Sequence, residues 1–460
     1  MCAITDAEPG PCVAPAAKRH CLSSSSSKER NCFGRRQKVR RPRNKDVEQD
    51  ADPPEYYFEN GLRKVKPYMF MYKAYAKRRW LGRKLLDVFR EEFFTYSPNV
   101  LEDAISSGRV TVNDKQISAD YVIKDLDLIR HNTHRHELPV LNHDIAIIAN
   151  TDAILAVNKP ASIPVHTCGR YHYNTVVSLL KYQHNIENLR IAFRLDRATS
   201  GLLLFCKNLE ADQRLKKLMM ERQVKKEYLC KVEGTFPEVE VVCNQPLDKL
   251  FPKMGIICVR QDGREALTRF RRHSTDGRSS IVSCFPETGR THQIRVHLQY
   301  LGYPIIDDIL YNSTVWGPHK GKGAVYEKST EQLIEDLIKA HGYENWILGD
   351  SDEADSALQL GEDDAKESAE AGDAKNLEEI EDDGKKMQWC WECGVRKKEP
   401  SMDHLRMYLH CLKYESPEWT FETPWPDWAV AQQSSTSEPV VSATKESQAE
   451  EAAVANNASL

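Results

Sequence analysis

The chain has no run of eighteen or more apolar residues, which excludes a membrane-spanning helix. Its opening, MCAITDAEPGPCVAPAAKRHC, lacks the charged-then-apolar order of a secretory signal, and the early acids Asp6 and Glu8 are out of place in a mitochondrial transit peptide. Cysteine is scattered, 13 in 460 residues, without the spacing of a disulfide framework. That usage reads as reduced thiols of an intracellular protein. Cytoplasm or nucleus is the expected compartment, with a mitochondrial fraction left open. No Gly-rich loop follows a strand, so an ATP or dinucleotide enzyme has no support. His292 and His297 are five apart rather than four, so the zinc helix pattern is not met. The chain does have 40% hydrophobic residues, enough for a sizeable core, and a length that allows two or three domains.

A net charge of −4 hides a segregation. Residues 350–383 hold fifteen acids and two bases, a local charge of −13, which leaves +9 for the rest. The folded parts are therefore basic, as a polyanion binder requires, although a merely solvated basic surface has the same sum. Residues 1–52 read as a disordered basic tail, with Leu22–Lys28 (LSSSSSK) and Arg35–Lys45 (RRQKVRRPRNK). Residues 350–386 read as a disordered acidic insert and 429–460 as a polar disordered tail.

Between these lie two expected folded units. Over 68–135, Trp80–Phe94 has apolar residues at a helical period, and Ser97–Ile105 suits a second helix with Pro98 in its first turn. Gly108–Lys115 (GRVTVNDK) reads as a short strand into an Asn113-Asp114 turn, and Tyr121–Ile129 alternates as a further strand. Residues 140–428 form the second unit. Strands are expected at Ile154–Asn158, Gly201–Lys207, Lys226–Gly234, Gly255–Val259, Ala266–Arg272 and Ser280–Pro286. Helices fit at Thr175–His184, Glu210–Arg222 and Thr291–Leu301. Strands joined mostly by turns point to an α+β fold with a mixed, mainly antiparallel sheet.

The densest chemical signal is Phe193-Arg194-Leu195-Asp196-Arg197-Ala198-Thr199-Ser200-Gly201-Leu202. It offers one carboxylate at the mouth of an apolar strand, between two guanidiniums that favour its anion. An ionised, positioned carboxylate can act as a nucleophile, and the arginines can instead face phosphates. A salt-bridge cluster capping the strand is the plainer reading. A second cluster, Thr288-Gly289-Arg290-Thr291-His292-Gln293-Ile294-Arg295, turns into a helix whose expected buried face is Ile294, Leu298 and Leu301, with His292, Arg295 and Gln299 on another face. A helix start beside Arg290 suits an anion.

NKPASIPVH, RLDRATSGLLLF, KKEYLCKVEG and TGRTHQIRVHLQYLGYPIIDD, in this order, resemble the RluA-type RNA pseudouridine synthases. The likeness runs over Ala153–Asn312 and resumes at Tyr408–Trp428. LEDAISSGRVTVNDK in the first unit resembles the S4-type RNA-binding module that often precedes that catalytic domain. The resemblance implies a cofactor-free, metal-free isomerisation in which a uridine loses its N1–C1′ bond and is rejoined through C5. It places the essential aspartate at Asp196, the active-site tyrosine at Tyr228 and the motif arginine at Arg290. On this reading Arg290 holds Asp196 in a bidentate pair, and Tyr228 stacks the uracil. Arg194, Arg197, His166, His292 and Arg295 are the candidates for gripping RNA that has been flipped out of its stack. The implied partner is RNA, tRNA above all, met by a monomer with no membrane. The sequence departs from the family at Phe193, where a His is usual, and that position is expected to pack or position.

Two rivals belong to other classes. A non-catalytic RNA-binding protein of the same fold would bind without turnover. A metal-dependent hydrolase would use Cys390-x-x-Cys393 with His404, His410 and Cys411. The expectation at those cysteines is ordinary thiols, because His410-Cys411 falls within the family's closing strand.

Overall fold

The computed structural model describes residues 53–92, 98–251, 255–341, 387, 389–394 and 399–434. The segments expected to be disordered, 1–52, 350–386 and the tail beyond 434, lie outside the described residues.

Strands β1 (Tyr56–Glu59) and β2 (Leu62–Val65) form a hairpin, followed by β3 (Tyr68–Tyr75), α1 (Leu85–Glu92), α2 (Pro98–Ser106), β4 (Val110–Val112), β5 (Lys115–Gln116) and β6 (Leu128–Arg135). The helix expected from Trp80 begins only at Leu85. Trp80 instead closes a short 3-10 turn, and Gly82, at φ +76°, separates the two. Asn113 and Asp114 both have positive φ, 52° and 64°, which gives the β4–β5 turn the twist that a hairpin needs. The strand expected over Tyr121–Ile129 starts only at Leu128. Asp127 is the reason: its carboxylate accepts hydrogen bonds from Lys124 N (2.7 Å), Tyr121 Oη (2.9 Å) and Asn113 Nδ2 (2.9 Å), folding the preceding residues into a turn. These strands pair in the order β3-β6-β4-β5 and enclose their own core of Trp80, Leu85, Val88, Leu101, Ile105 and Val110.

The chain continues through β7 (Val140–Leu141), β8 (Ala146–Asn150), β9 (Ile154–Lys159), α3 (Val176–His184), β10 (Arg190–Ile191), β11 (Ser200–Cys206), α4 (Leu209–Met220), β12 (Lys225–Glu233), β13 (Val241–Cys243), β14 (Leu247–Phe251), β15 (Ile256–Val259), β16 (Thr268–Thr275) and β17 (Ser279–Pro286). Then come α5 (Gln293–Leu301), α6 (Thr330–His341), α7 (Trp391–Gly394), α8 (Met402–Leu405), β18 (Leu409–Glu415), β19 (Thr420–Glu422) and α9 (Asp427–Ser434). The architecture is α+β. One large sheet runs β13-β16-β17-β12-β18-β11-β9-β8, with β10 on β11 and β19 on β18; every pairing is antiparallel except β11 with β18. Strand β18, which follows the acidic stretch, therefore lies in the middle of the sheet, beside strands some two hundred residues earlier. The small sheet β1-β2-β7 joins chain from either side of the first unit.

Leu202–Phe205 of β11 are fully buried against Leu155, Val157, Leu179 and Leu180, which places the main core under the strand that Asp196 precedes. The tail expected from residue 429 starts as helix α9, because Ala429 is buried on Leu229, Ile281 and Leu412.

Candidate active site

The Asp196 segment is held from below by an obligatory glycine. Gly201 has φ +107°, and a Cβ there would lie 2.2 Å from the Cys411 carbonyl oxygen, so only glycine allows β11 to run against β18. Tyr228 pairs with that same Cys411 from the other side of β18. The strand order thus brings the Asp196 loop and Tyr228 to one end of the sheet. Lys159, fully buried at the end of β9, donates to the carbonyls of Pro160 (2.9 Å), Ile163 (2.8 Å) and Arg197 (3.1 Å). It ties the Asp196 loop to the loop after β9. Burial pushes its pKa well below that of a free lysine, and Arg197 adds to this.

The arginine that meets Asp196 is Arg295, not Arg290. Arg295 Nη1 donates to Asp196 Oδ2 at 2.9 Å, while its Nε and Nη2 form a bidentate pair with Asp308 at 2.7 and 2.8 Å. Arg290 is turned away, with its Nε on the Glu265 carbonyl at 2.9 Å. The reason is the entry to α5. His292 adopts φ +54°, and Gln293 Oε1 accepts from Arg290 N and Thr288 Oγ1. The residues before that kink lie along the Glu265 segment, and those after it face the site. Helix α5 is also buried on both faces, not one. Gln293, Arg295, His297 and Gln299 are all buried, with His297 bonded to Thr268 Oγ1 and to the Gln245 carbonyl.

Burial works against ionisation of Asp196, but His292 and Arg295 outweigh it and hold the carboxyl below the usual carboxylate range. Burial pushes the His292 imidazole down despite Asp196, so near neutral pH Arg295 supplies the positive charge. His292 Nε2 lies 3.7 Å from Asp196 Oδ2, and its Nδ1 contacts Tyr311 Oη at 2.9 Å. The Asp196 side chain keeps 31% of its surface exposed, whereas Arg295 and Asp308 keep 10% and 1%. The carboxylate is thus the reachable end of a buried Asp–Arg–Asp chain.

Tyr228 Oη contacts Tyr414 Oη at 2.9 Å, and Phe193 packs edge-on against the Tyr414 ring at 5.1 Å. Burial raises the Tyr228 pKa far above that of free tyrosine, with Cys411 and Asp196 adding to it, so the phenol stays protonated. Phe193 therefore buttresses the tyrosine pair, which matches the packing role expected for that position.

The five RNA-contact candidates divide. Arg194 is exposed, and His166 beside it is half-buried, its pKa lowered by burial and then by the Arg194 charge. Arg197 is turned inward, Nη2 on the His404 carbonyl at 2.6 Å. Arg295 is neutralised by two carboxylates, and His292 sits within the site. Of the five, Arg194 is the one exposed to solvent, with His166 beside it. Asp308, Tyr414 and Lys159 were in quoted motifs or the closing strand without an assigned role. Only their long-range contacts reveal them. Cys390 and Cys393 do not join His404, His410 or Cys411. His410 lies between Ser200 Oγ and Thr423 Oγ1.

The family described as RNA pseudouridylate synthase matches residues 153–300. The chain is 39% identical over 408 residues to a Homo sapiens protein named Pseudouridylate synthase RPUSD2, spanning 81% of this chain and 74% of that protein. It is 36% identical over 407 residues to the Saccharomyces cerevisiae tRNA pseudouridine(32) synthase, mitochondrial, spanning 84% of this chain and 81% of that one. To the tRNA pseudouridine(31) synthase of the same yeast it is 31% identical over 421 residues, with 82% and 97% spanned. Likeness of this extent defines an isomerase that acts on RNA. The chain belongs to the RNA pseudouridine synthases, in the RluA-type family. Among the described residues no helix is long and apolar enough to cross a membrane.

Proposed function

We propose that the chain converts a uridine of tRNA to pseudouridine, with Asp196 as the essential carboxylate. The observation that carries this reading is the Asp196–Arg295–Asp308 chain, which presents one ionised, reachable oxygen pair at a buried site. Two yeast relatives are named for tRNA, which supports the substrate class.

The reaction breaks N1–C1′, turns the uracil and forms C5–C1′; the proton on C5 is lost and N1 gains one. Asp196 acts at the sugar, either by attacking or stabilising its carbon or as a base. Arg295 keeps it anionic and fixed, and cannot itself give up a proton. The Tyr228 ring offers a face for the uracil. Its hydroxyl, protonated and bonded to Tyr414, serves as a positioned donor and acceptor rather than as a phenolate. Arg194 and His166 lie at the rim, where the phosphates of a flipped nucleotide would pass. We read residues 68–135, two helices on a sheet with its own core, as an S4-like RNA-binding module.

The test is pseudouridine mapping on tRNA and ribosomal RNA incubated with the full chain, wild type beside Asp196→Ala. Product at defined tRNA sites, lost in the variant, is the expected result. Equal product from Asp196→Ala would end the catalytic assignment, and product confined to ribosomal RNA would end the substrate assignment.

A further inference from the structure

Far from Asp196 in the sequence, four side chains meet that the reaction does not use. His134 is the penultimate residue of β6, and His136 follows directly after the strand. Their partners are Cys390 and Cys393, 254 and 259 residues later along the chain for the closest pairs. One ligand atom from each lies within 4.8 Å of all the others. We propose that these four residues form a structural zinc site that fastens the segment after the acidic stretch to the first folded unit.

The distances favour a metal over paired hydrogen bonds. Cys393 Sγ is 3.2 Å from His134 Nδ1 and 3.5 Å from His136 Nε2; Cys390 Sγ is 3.4 Å from His136 Nε2; the two nitrogens are 3.2 Å apart. Zinc bonds of ~2.3 Å to sulfur and ~2.0 Å to nitrogen put tetrahedral ligand atoms roughly 3.3–3.8 Å apart. These four of the six ligand–ligand spacings match those edges to within a few tenths of an ångström, and the other two are no longer than 4.8 Å. A single ring nitrogen cannot hydrogen-bond three converging atoms at once, whereas one cation can bind all four.

The local chain is built for the task. His134 and His136 are two apart, so an extended strand points both rings to one side, with Arg135 between them turned the other way. Arg135 sits over Phe70 and donates to the Gly169 carbonyl. Cys390 and Cys393 are joined by a turn in which Cys393 N donates to Cys390 O at 3.0 Å. The N–H groups of Glu392 and Cys393 also serve the Cys390 sulfur, an outer layer of support found around metal-bound thiolates. Glu392, between the cysteines, is buried and ion-paired with Arg170, whose Nη2 also reaches the His136 carbonyl at 3.3 Å. Binding converts two thiols to thiolates and releases two protons, so a divalent ion leaves the site neutral. Four protein ligands leave no open position, which assigns the site to structure and not to catalysis.

Its consequence for the fold is a long-range staple. The chain beyond these cysteines leads to Glu399, which binds Lys64 and Asn60, to His404, whose carbonyl holds Arg197 beside Asp196, and to β18 at the centre of the sheet.

The test uses the full chain without a polyhistidine tag, purified under reducing conditions. Elemental analysis and native mass spectrometry should give one zinc per chain. Cobalt(II) in its place should give a thiolate-to-metal charge-transfer band and the intense visible bands of a tetrahedral ion. Cys390→Ser with Cys393→Ser should lower the zinc content at least about tenfold, while Cys168→Ser keeps it. A wild-type protein that binds neither zinc nor cobalt in this way would overturn the proposal. So would metal retained after both cysteines are lost. If the double variant fails to fold, the cobalt spectrum of the wild type decides alone.

Discussion

The charges of the first folded unit and those of the active site follow opposite rules. In the first unit the ion pairs lie on the surface: Arg79 with Glu92, Arg83 with Glu91, Arg90 with Glu102 and Lys84 with Asp120. Water screens such pairs, and each contributes little to stability. At the candidate active site one arginine is withdrawn from water between two carboxylates, 10% exposed, with both carboxylates in fixed geometry. There the desolvation cost is large, and it is offset only while every partner is present. The comparison teaches that a count of ion pairs says little about either region. What matters is whether removing one charge strands another in a buried place.

Breaking the buried chain should give the largest effect. Arg295→Leu leaves Asp308 and Asp196 without their cation, and we expect destabilisation of about 3–5 kcal/mol by urea unfolding. Pseudouridine formation should fall by at least ~100-fold under conditions where the variant is still folded. Arg290→Leu, five residues away, should change both far less, and the reverse ranking would restore Arg290 as the partner of Asp196.

Acid provides a gentler lever on the same contrast. The Asp196 carboxyl is held below its usual range, so its folded pKa lies below the unfolded value of about 3.9. Its stabilisation is then complete above that value and is lost as pH falls through the lower, folded pKa. Urea midpoints for wild type and Asp196→Asn should therefore differ near pH 7 and converge at the acid end. A gap that widens on acidification would mean that the carboxyl is raised instead.

The smallest effect is expected on the surface. Arg83→Ala removes a pair whose arginine is open to solvent, and the melting temperature should stay within experimental scatter at physiological salt. A clear loss of stability would make that pair part of a coupled surface network and erase the contrast with Arg295.

Much of this was legible in local pattern. The apolar run after Thr199-Ser200 reads as a strand and is one, because burial on both faces leaves a continuous stretch of Leu and Phe. The Asn113-Asp114 turn needs residues that tolerate positive φ, and these two do. Asp196 is legible as a carboxylate set among positive charges. The sequence period places the start of α1 too early because it continues through Gly82, where the helical backbone does not. Alternation over Tyr121–Ile129 predicts a strand longer than the one formed, because it cannot register three hydrogen bonds converging on Asp127.

By itself, the sequence determined the reaction family, through four motifs in order, along with most of the strands, and it offered Asp196 and Tyr228 as site candidates. All of these depend on residues near one another in the chain, where steric and hydrophobic periodicities are written directly. Only the tertiary structure decided which arginine meets Asp196, because a left-handed residue at His292 sends Arg290 and Arg295 in different directions. It alone set β18 at the centre of the sheet and brought His134 and His136 to Cys390 and Cys393. Contacts across some two hundred and fifty residues leave no local period to read, since they arise when separate elements pack and each supplies part of a site.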